Sequence, residues 1–191
     1  MKKSIVILTL FISLAINAAA GANADQTAAE KKPAAAELSF SFTRQSGFST
    51  NQFAIWIEDS SGNYIKTLYA THFTAAGGWQ KRETSIPTWV KQSGIAGMTK
   101  PQIDALSAST PKTGKLEYYW DGSDRNGIDL PPGAYVICLE GTLRQENQVL
   151  YRGPIQLGQG PAASELTPQY TGTPPGSERD MISSVTLRTY R

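Results

Sequence analysis

Residues 119–135 read YWDGSDRNGIDLPPGAY, and this stretch decides the fold. It predicts a strand that ends at Trp120, a polar loop rich in turn residues, and a new strand that starts near Tyr135. Two consecutive prolines precede the second strand. Because proline cannot donate a hydrogen bond to a sheet, they belong before that strand rather than within it. A corner of this kind is typical of an antiparallel β-sandwich.

The residues of this corner have structural roles that follow from their chemistry. Tryptophan supplies a large apolar body, aspartate bonds to nearby backbone groups, and glycine tolerates positive φ. The residues that we assign to the corner are Trp120, Asp121, Gly122, Asp124, Gly127, Pro132, Gly133 and Tyr135. A calcium loop that starts at Asp121 needs an oxygen ligand at its fifth position, where this chain has Arg125. We therefore interpret the segment as a structural turn and predict no metal site.

Hydrophobic patterns predict further strands on both sides of the corner. Apolar and polar residues alternate from Leu38 to Phe42, which is the period of a half-buried strand. The apolar run 53–57 is typical of a central strand, and residues 64–69 return as the second arm of a hairpin after a turn at 59–63. The remaining predicted strands are 115–120, 135–139, 149–157 and 182–190.

The middle of the chain predicts two short helices instead. The first has start signals at Ser85 and Pro87 and a stop signal at Gly94, and the second runs from Thr99 through Leu106. We expect this insertion to pack beside the strands. The sequence thus predicts an all-β fold, namely an immunoglobulin-like antiparallel β-sandwich with a short helical insertion.

This domain is predicted to span residues 37–191, and one segment inside it is unlike the rest. Residues 158–180 are rich in glycine, proline, serine and threonine and show no periodicity. A loop of this length is usually either functional or disordered. We therefore expect a disordered or meandering segment, or alternatively a segment that docks a partner.

Residues 1–24 have the features of a secretory signal peptide. A positively charged start precedes an apolar core of about a dozen residues, from Ile5 to Ile16, which is too short to span a bilayer. The Ala22-Asn23-Ala24 sequence fits the small-residue cleavage rule, so we expect cleavage after Ala24, with Ala20 as the alternative. Residues 25–36 then predict a flexible tether, and the predicted location of the mature protein is the periplasm.

The charge balance excludes some classes of partner. The chain has 18 basic and 16 acidic residues. The signal peptide carries two of the lysines and no acidic residue, so the predicted mature chain has 16 of each and is near neutral. Nucleic acids and anionic membrane surfaces require a basic patch, which this balance argues against. After the signal peptide, no apolar run is long enough for a membrane helix.

Cys138 and His72 are the only residues of their types. A lone cysteine on a predicted strand is usually a small buried hydrophobe, although a reactive thiol or an intermolecular bridge stays open in an exported protein. His72 has no neighbouring cysteine or second histidine with which to hold a metal. The chain also lacks a Gly-x-Ser-x-Gly elbow. We therefore predict no catalytic residue and no enzymatic activity.

Several segments together resemble one family. They are residues 53–59 (FAIWIED), 64–69, 87–89 (PTW), 104–110, the Trp-Asp-Gly of the corner, and 185–188 (VTLR). This set resembles the 2271 family of domains of unknown function, which are predicted periplasmic proteins. The corner alone is also similar to the immunoglobulin-like domain of flagellar hook-capping proteins. The resemblance implies a fold and a location, and it leaves the function open.

Residues 104–110 (DALSAST) carry a second resemblance. They are similar to the Asp-x-x-Ser/Thr-Gly-Ala-Ser/Thr sequence at which exported electron-transfer proteins receive FMN through a phosphoester. The resemblance implies that Thr110 is the acceptor, with Asp104 as the leading acid and Ser107 as the first hydroxyl. Ala108 stands where the pattern has glycine, and Ser109 where it has alanine. The alternative is a helix end that runs into a loop.

Two functions follow as hypotheses. The first is a non-enzymatic periplasmic module, without a cofactor, that binds an envelope or periplasmic protein. The second is a periplasmic redox accessory protein, which carries covalent FMN at Thr110 or docks a flavin or haem electron-transfer partner.

Overall fold

The computed structural model describes residues 32–47, 51–144 and 146–191. The predicted signal peptide and most of the predicted tether lie outside the described residues. The strands of the described part are β1 (Ala36–Phe42), β2 (Gln52–Asp59), β3 (Tyr64–Thr71), β4 (Ser107–Ala108), β5 (Gly114–Trp120), β6 (Gly133–Thr142), β7 (Gln148–Leu157), β8 (Ala162–Glu165), β9 (Gln169–Thr171) and β10 (Ile182–Thr189). Its α-helices are α1 (Trp79–Lys81), α2 (Pro87–Ser93), α3 (Lys100–Leu106) and α4 (Gly176–Arg179). A π-helical turn, Thr74–Gly78, precedes α1, and a 3-10 turn, Ile95–Gly97, follows α2.

The strands form two sheets. The four-stranded sheet has the order β5-β1-β10-β8, and the six-stranded sheet has the order β4-β3-β2-β6-β7-β9. Neighbouring strands are antiparallel except β3 and β4, which pair in parallel. The chain is therefore mostly β, and the predicted β-sandwich with a short helical insertion is confirmed.

The main hydrophobic core lies between the two sheets. From the four-stranded sheet, Leu38, Phe40 and Phe42 contribute side chains that are at most 1% exposed. The apolar residues at alternate positions of β2, such as Ile55, belong to the same core. The alternation along residues 38–42 therefore predicts the buried face of β1 correctly.

A second core lies on the other face of the six-stranded sheet. Trp56 and Cys138 project from the sheet, and Trp89 of α2 and Ile95 cover them. Each of these four side chains is at most 2% exposed. This arrangement explains why β2 is apolar at consecutive positions, because the sandwich covers one face of the strand and the helices cover the other. The structure places the predicted helical insertion on this face.

The prediction of a disordered segment at 158–180 is wrong. The segment contains β8 and β9, which extend the two sheets at their edges, and it ends with α4. β8 pairs with β10, and β9 pairs with β7. All four residues of β8 are exposed, so the strand has no alternating pattern, and its pairing depends on a distant strand. The alternative, that the segment docks a partner, stays a prediction.

The predicted tether is also too long. Ala35 and Ala36 are fully buried, and β1 already begins at Ala36. The backbone N–H of Ala35 donates a hydrogen bond to the carbonyl of Trp120 at 2.6 Å. Two small residues that resemble linker composition thus lie in the main core. None of the helices among the described residues has the length and apolar character that a bilayer span requires.

Candidate functional site

The segment that resembles a flavin acceptor lies at the edge of the six-stranded sheet. Asp104 is exposed on α3 and accepts a hydrogen bond from Lys100 Nζ at 2.5 Å. The helix ends at Leu106, and the next two residues form β4. Ser107 lies opposite Ala70 in this parallel pairing. The predicted helix end is therefore present, but a short strand anchors the chain before the loop that carries Thr110.

Tyr69 fixes the backbone next to Thr110. Its hydroxyl donates to the carbonyl of Ser109 at 3.0 Å, and its ring packs on Phe53 with centroids 4.8 Å apart. Burial raises the pKa of Tyr69 well above its usual range, so the phenol remains a proton donor. Thr110 itself is half-buried. The hydroxyl of Thr110 therefore belongs to a surface segment whose backbone is hydrogen-bonded to the buried Tyr69.

Ser107 and His72 form a pair that the sequence did not reveal. Ser107 Oγ lies 3.0 Å from His72 Nδ1 and 2.7 Å from the carbonyl oxygen of Ile103. The serine proton goes to the carbonyl, so the histidine donates at Nδ1 and the serine oxygen accepts. A histidine in this tautomer cannot remove the serine proton at that nitrogen. The 35-residue separation explains why no local motif signals the contact.

We expect His72→Ala to change the free energy of unfolding by at most about 0.5 kcal/mol. His72 is exposed, and its contact with Ser107 is a single hydrogen bond at the surface. Equilibrium unfolding in urea measures the change. A loss above about 2 kcal/mol, or release of a bound transition metal on substitution, would contradict this interpretation.

Trp120 occupies the centre of the corner. Its side chain is 0% exposed, and its indole N–H donates to the carbonyl of Ser123 at 2.9 Å. Its ring meets Tyr135 with centroids 5.5 Å apart. The Tyr135 hydroxyl donates in turn to the carbonyl of Pro131 at 2.9 Å. The two aromatic residues therefore connect the end of β5 to the start of β6 and bond both flanks of the loop.

The loop aspartates bond to the loop itself. Asp121 Oδ1 accepts from the N–H and the hydroxyl of Ser123, and Asp124 Oδ1 accepts from the N–H groups of Asn126 and Ile128. Partial burial opposes ionisation of Asp121, but the bonds from Ser123 and the nearby lysine lower its pKa. The pKa of Asp124 is also lowered, mainly by the backbone bond from Ile128. Both carboxylates thus serve as turn acceptors.

The glycines of this loop supply the conformations that the turn requires. Gly122 has φ 77° and Gly127 has φ 79°. Both values lie in the left-handed region, which residues with a side chain rarely adopt. The prediction of a tight turn at these two positions thus agrees with the backbone.

A buried carboxylate connects the helical insertion to the sheet, and sequence reasoning missed it. Glu140 of β6 is 1% exposed and accepts from the N–H groups of Thr88 and Trp89 at 3.1 and 2.8 Å. The N–H of Ile86 donates to Thr142 Oγ1 at 2.8 Å. The predicted start signal at Pro87 is confirmed, since α2 begins there. The predicted start signal at Ser85 is wrong, because the N-cap is Ile86, at φ 40°, and distant residues of β6 supply the acceptors.

A second buried carboxylate lies beside the cysteine. Glu58 is 0% exposed and accepts from Trp56 Nε1 at 2.7 Å and from Arg152 at 2.5 Å. Burial raises the pKa of the Cys138 thiol far above its usual range, and the negative charge of Glu58 adds to that effect. A thiol that stays protonated is a poor nucleophile. The structure therefore places Cys138 as a buried apolar residue.

Comparison with known proteins gives one match. The model of a family described as predicted periplasmic protein (DUF2271) matches residues 35–173. Neither a curated protein nor a solved structure matches the chain. The relation to immunoglobulin-like domains therefore stays a prediction, while the family description confirms the predicted periplasmic location. Since the match covers most of the chain, this protein belongs to the DUF2271 family of predicted periplasmic proteins.

Proposed function

We propose that the protein is a non-enzymatic periplasmic module that binds or assists another envelope protein. The observation that carries this proposal is that the side chains capable of acid–base or nucleophilic chemistry are buried or make hydrogen bonds within the protein. Glu58, Glu140 and Cys138 lie in the folded interior, and the two carboxylates accept structural hydrogen bonds. Ser107 and His72 bond to each other, and Ser107 also bonds to the carbonyl of Ile103. These groups support the fold instead of presenting a nucleophile or base to a substrate.

The outer face of the four-stranded sheet is the best candidate for the binding surface. Glu37 of β1 lies directly opposite Tyr119 of β5 and Arg188 of β10, so the three residues share a face. Glu117 lies two residues before Tyr119, and Tyr190 lies two residues after Arg188, so both continue the same face. We call these five residues the outer tyrosine face. Tyr119 is 47% exposed and Tyr190 is 44% exposed.

Hydrogen bonds restrain both tyrosines of this face. The hydroxyl of Tyr119 donates to Glu117 at 2.9 Å, and the hydroxyl of Tyr190 donates to Glu37 at 2.5 Å. A side chain that is already held loses little conformational entropy on binding. Tyrosine and arginine are also enriched in the cores of protein interfaces. These features favour a protein partner on the outer tyrosine face.

Site-specific photo-crosslinking in the periplasm tests this proposal. We would place p-benzoylphenylalanine at Tyr119, at Tyr190 and, as a control, at Gln92, which is exposed on α2. The two tyrosine positions are expected to give the same crosslinked product, and Gln92 none of it. Equal products from all three positions, or none from either tyrosine, would contradict a partner on this face.

A second candidate is a redox accessory protein, and one observation favours it. Thr110 lies in residues 109–113, which are neither helix nor strand and connect β4 to β5 at the surface. Such an extended segment is accessible to a modifying enzyme. FMN joined there would supply electron-transfer chemistry. The anchoring of Ser109 by Tyr69 counts against it, because a held backbone adapts less readily to the modifying enzyme.

Intact mass spectrometry separates the two candidates. After co-expression with a periplasmic flavin transferase, we expect the mass of the unmodified mature chain. An FMN adduct that disappears in Thr110→Ala and persists in Ser107→Ala would instead establish the redox candidate. Ser107→Ala is the matched control because it removes a neighbouring hydroxyl from the same segment.

A further inference from the structure

A groove of about 250 Å³ lies between the corner loop, the outer face of β3 and helix α3. Lys66 and Arg125 supply its positive charges, Tyr64 supplies a phenol, and Met98 and Leu106 supply apolar surface. The corner loop thus places Arg125 beside residues of β3 and α3. The binding surface proposed above includes none of these five residues, and the flavin acceptor-like segment, residues 104–110, shares only Leu106 with them.

The two cations of this groove differ in their pairing. Lys66 Nζ contacts Ser123 Oγ at 3.0 Å and Asp121 Oδ1 at 3.4 Å, and its side chain is 25% exposed. Asp121 thus offsets much of the lysine charge. No carboxylate among the described residues forms an ion pair with Arg125. Arg125 is consequently the groove cation without an ion-pair partner among the described residues, and its planar fork suits a carboxylate.

Hydrogen bonds hold the phenol in place. Trp89 Nε1 donates to Thr67 Oγ1 at 2.9 Å, and Thr67 Oγ1 lies 2.8 Å from the Tyr64 hydroxyl. Burial raises the pKa of Tyr64, against the opposing effects of the Thr67 bond and the Arg125 charge. The phenol of Tyr64 is therefore neutral in the periplasm, and it lies close enough to Arg125 to interact electrostatically with the guanidinium. A fixed neutral ring beside a cation offers both an apolar surface and a polar group.

We propose that this groove binds a small organic carboxylate. The acid group pairs with Arg125, and the apolar body lies against Tyr64, Met98 and Leu106. Asp121 and Asp124 lie close to Lys66, so their negative charges favour a monoanion over a doubly charged phosphate. The volume is below the roughly 300–1,000 Å³ of sites for drug-sized ligands, which restricts the occupant to a small molecule.

Titration of the 15N-labelled mature protein with benzoate, followed by NMR, tests the proposal. We expect saturable shifts of the Tyr64, Leu106 and Arg125 amide signals. Benzyl alcohol, which has the same ring without the charge, is expected to bind at least about tenfold more weakly because it lacks the charge-assisted bond to Arg125. Inorganic phosphate, which has charge without the ring, is also expected to bind at least about tenfold more weakly because it lacks the apolar contacts with Tyr64, Met98 and Leu106.

Arg125→Ala is expected to weaken benzoate binding by about tenfold or more, because the charge-assisted hydrogen bond between benzoate and Arg125 is lost. Arg144→Ala is the matched control, because Arg144 is an exposed arginine outside the groove, and it should leave binding unchanged. Thermal unfolding of both variants verifies that each is folded. The proposal is overturned if benzoate gives no saturable shifts, if it binds Arg125→Ala as tightly as the parent protein, or if phosphate or benzyl alcohol binds equally well.

Discussion

Replacing Trp120 with alanine is expected to lower the free energy of unfolding by about 3–5 kcal/mol. The side chain is 0% exposed and belongs to the core between the sheets. Its removal leaves a cavity beside Tyr135, whose ring centroid is 5.5 Å away. It also removes the donor to the carbonyl of Ser123. The lost burial, the cavity and the lost hydrogen bond each lower the free energy of unfolding.

Urea denaturation measures this loss, and two variants separate its causes. Trp120→Phe keeps an aromatic ring but removes the N–H. Its loss of stability therefore reports the missing bond to Ser123 together with a smaller loss of side-chain volume than in Trp120→Ala. Tyr119→Ala truncates the next aromatic residue of the same strand, which is 47% exposed, and should cost far less. A loss below about 1 kcal/mol for Trp120→Ala would mean that the corner does not depend on this side chain.

The accuracy of the sequence predictions depends on the range of the interactions involved. The strand at 38–42 and the Gly94 end of α2 follow from local patterns, namely alternation and a glycine in the left-handed region at φ 64°. The hairpin turn at 59–63 is local as well, since Asp59 Oδ1 accepts from the N–H groups of Ser61 and Asn63. Each signal lies within a few residues of the structure that it predicts.

The errors arise where distant residues decide the structure. β8 consists of four exposed residues and forms only because β10 provides a partner. Helix α2 begins at Pro87 with Ile86 as its N-cap, instead of a cap at Ser85, because Glu140 and Thr142 supply the acceptors from β6. For the candidate sites, the groove combines the corner loop, β3 and α3, which no contiguous motif encodes.

The corner combines a role in the fold with the binding role that we propose for Arg125. Trp120 and Tyr135 stabilise its two ends in the core, and the polar loop between them remains at the surface. This division leaves Arg125 exposed at the loop tip, while Asp121 and Asp124, which both precede it, bond to the turn. The loop bonds fix the backbone from which Arg125 projects, which lowers the entropy cost of the binding that we propose.

Replacing Glu140 with alanine is expected to destabilise the protein by about 2–4 kcal/mol near neutral pH, because one buried and one partly buried N–H group lose their acceptor. These groups belong to Thr88 and Trp89, in the first turn of α2. Urea denaturation again measures the loss. Glu146→Ala removes an exposed carboxylate of the same type and should change stability by at most about 0.5 kcal/mol.

The pH dependence of this effect has a defined sign. Burial raises the pKa of Glu140 above 4.5, against the opposing hydrogen bonds from Trp89 and Thr88. The folded protein therefore holds this proton more tightly than the unfolded chain does. The contribution of Glu140 to stability is then greatest below pH 4.5 and decreases as the pH rises through the pKa of the folded state. Glu140→Gln has no group that titrates at this position, so its stability does not change with pH for this reason. The parent protein loses the Glu140 contribution as the pH rises, and the difference in stability between the parent and Glu140→Gln should therefore shrink.

Hydrogen exchange locates the consequence of the loss. In Glu140→Ala the amide proton of Trp89 should exchange faster than in the parent protein, because its acceptor at 2.8 Å is gone. The amides that pair β1 with β10 in the other sheet should keep their relative protection. Uniform loss of protection would indicate that Glu140 stabilises the whole fold. Unchanged exchange at Trp89 would show instead that β6 does not hold the helical insertion through this carboxylate.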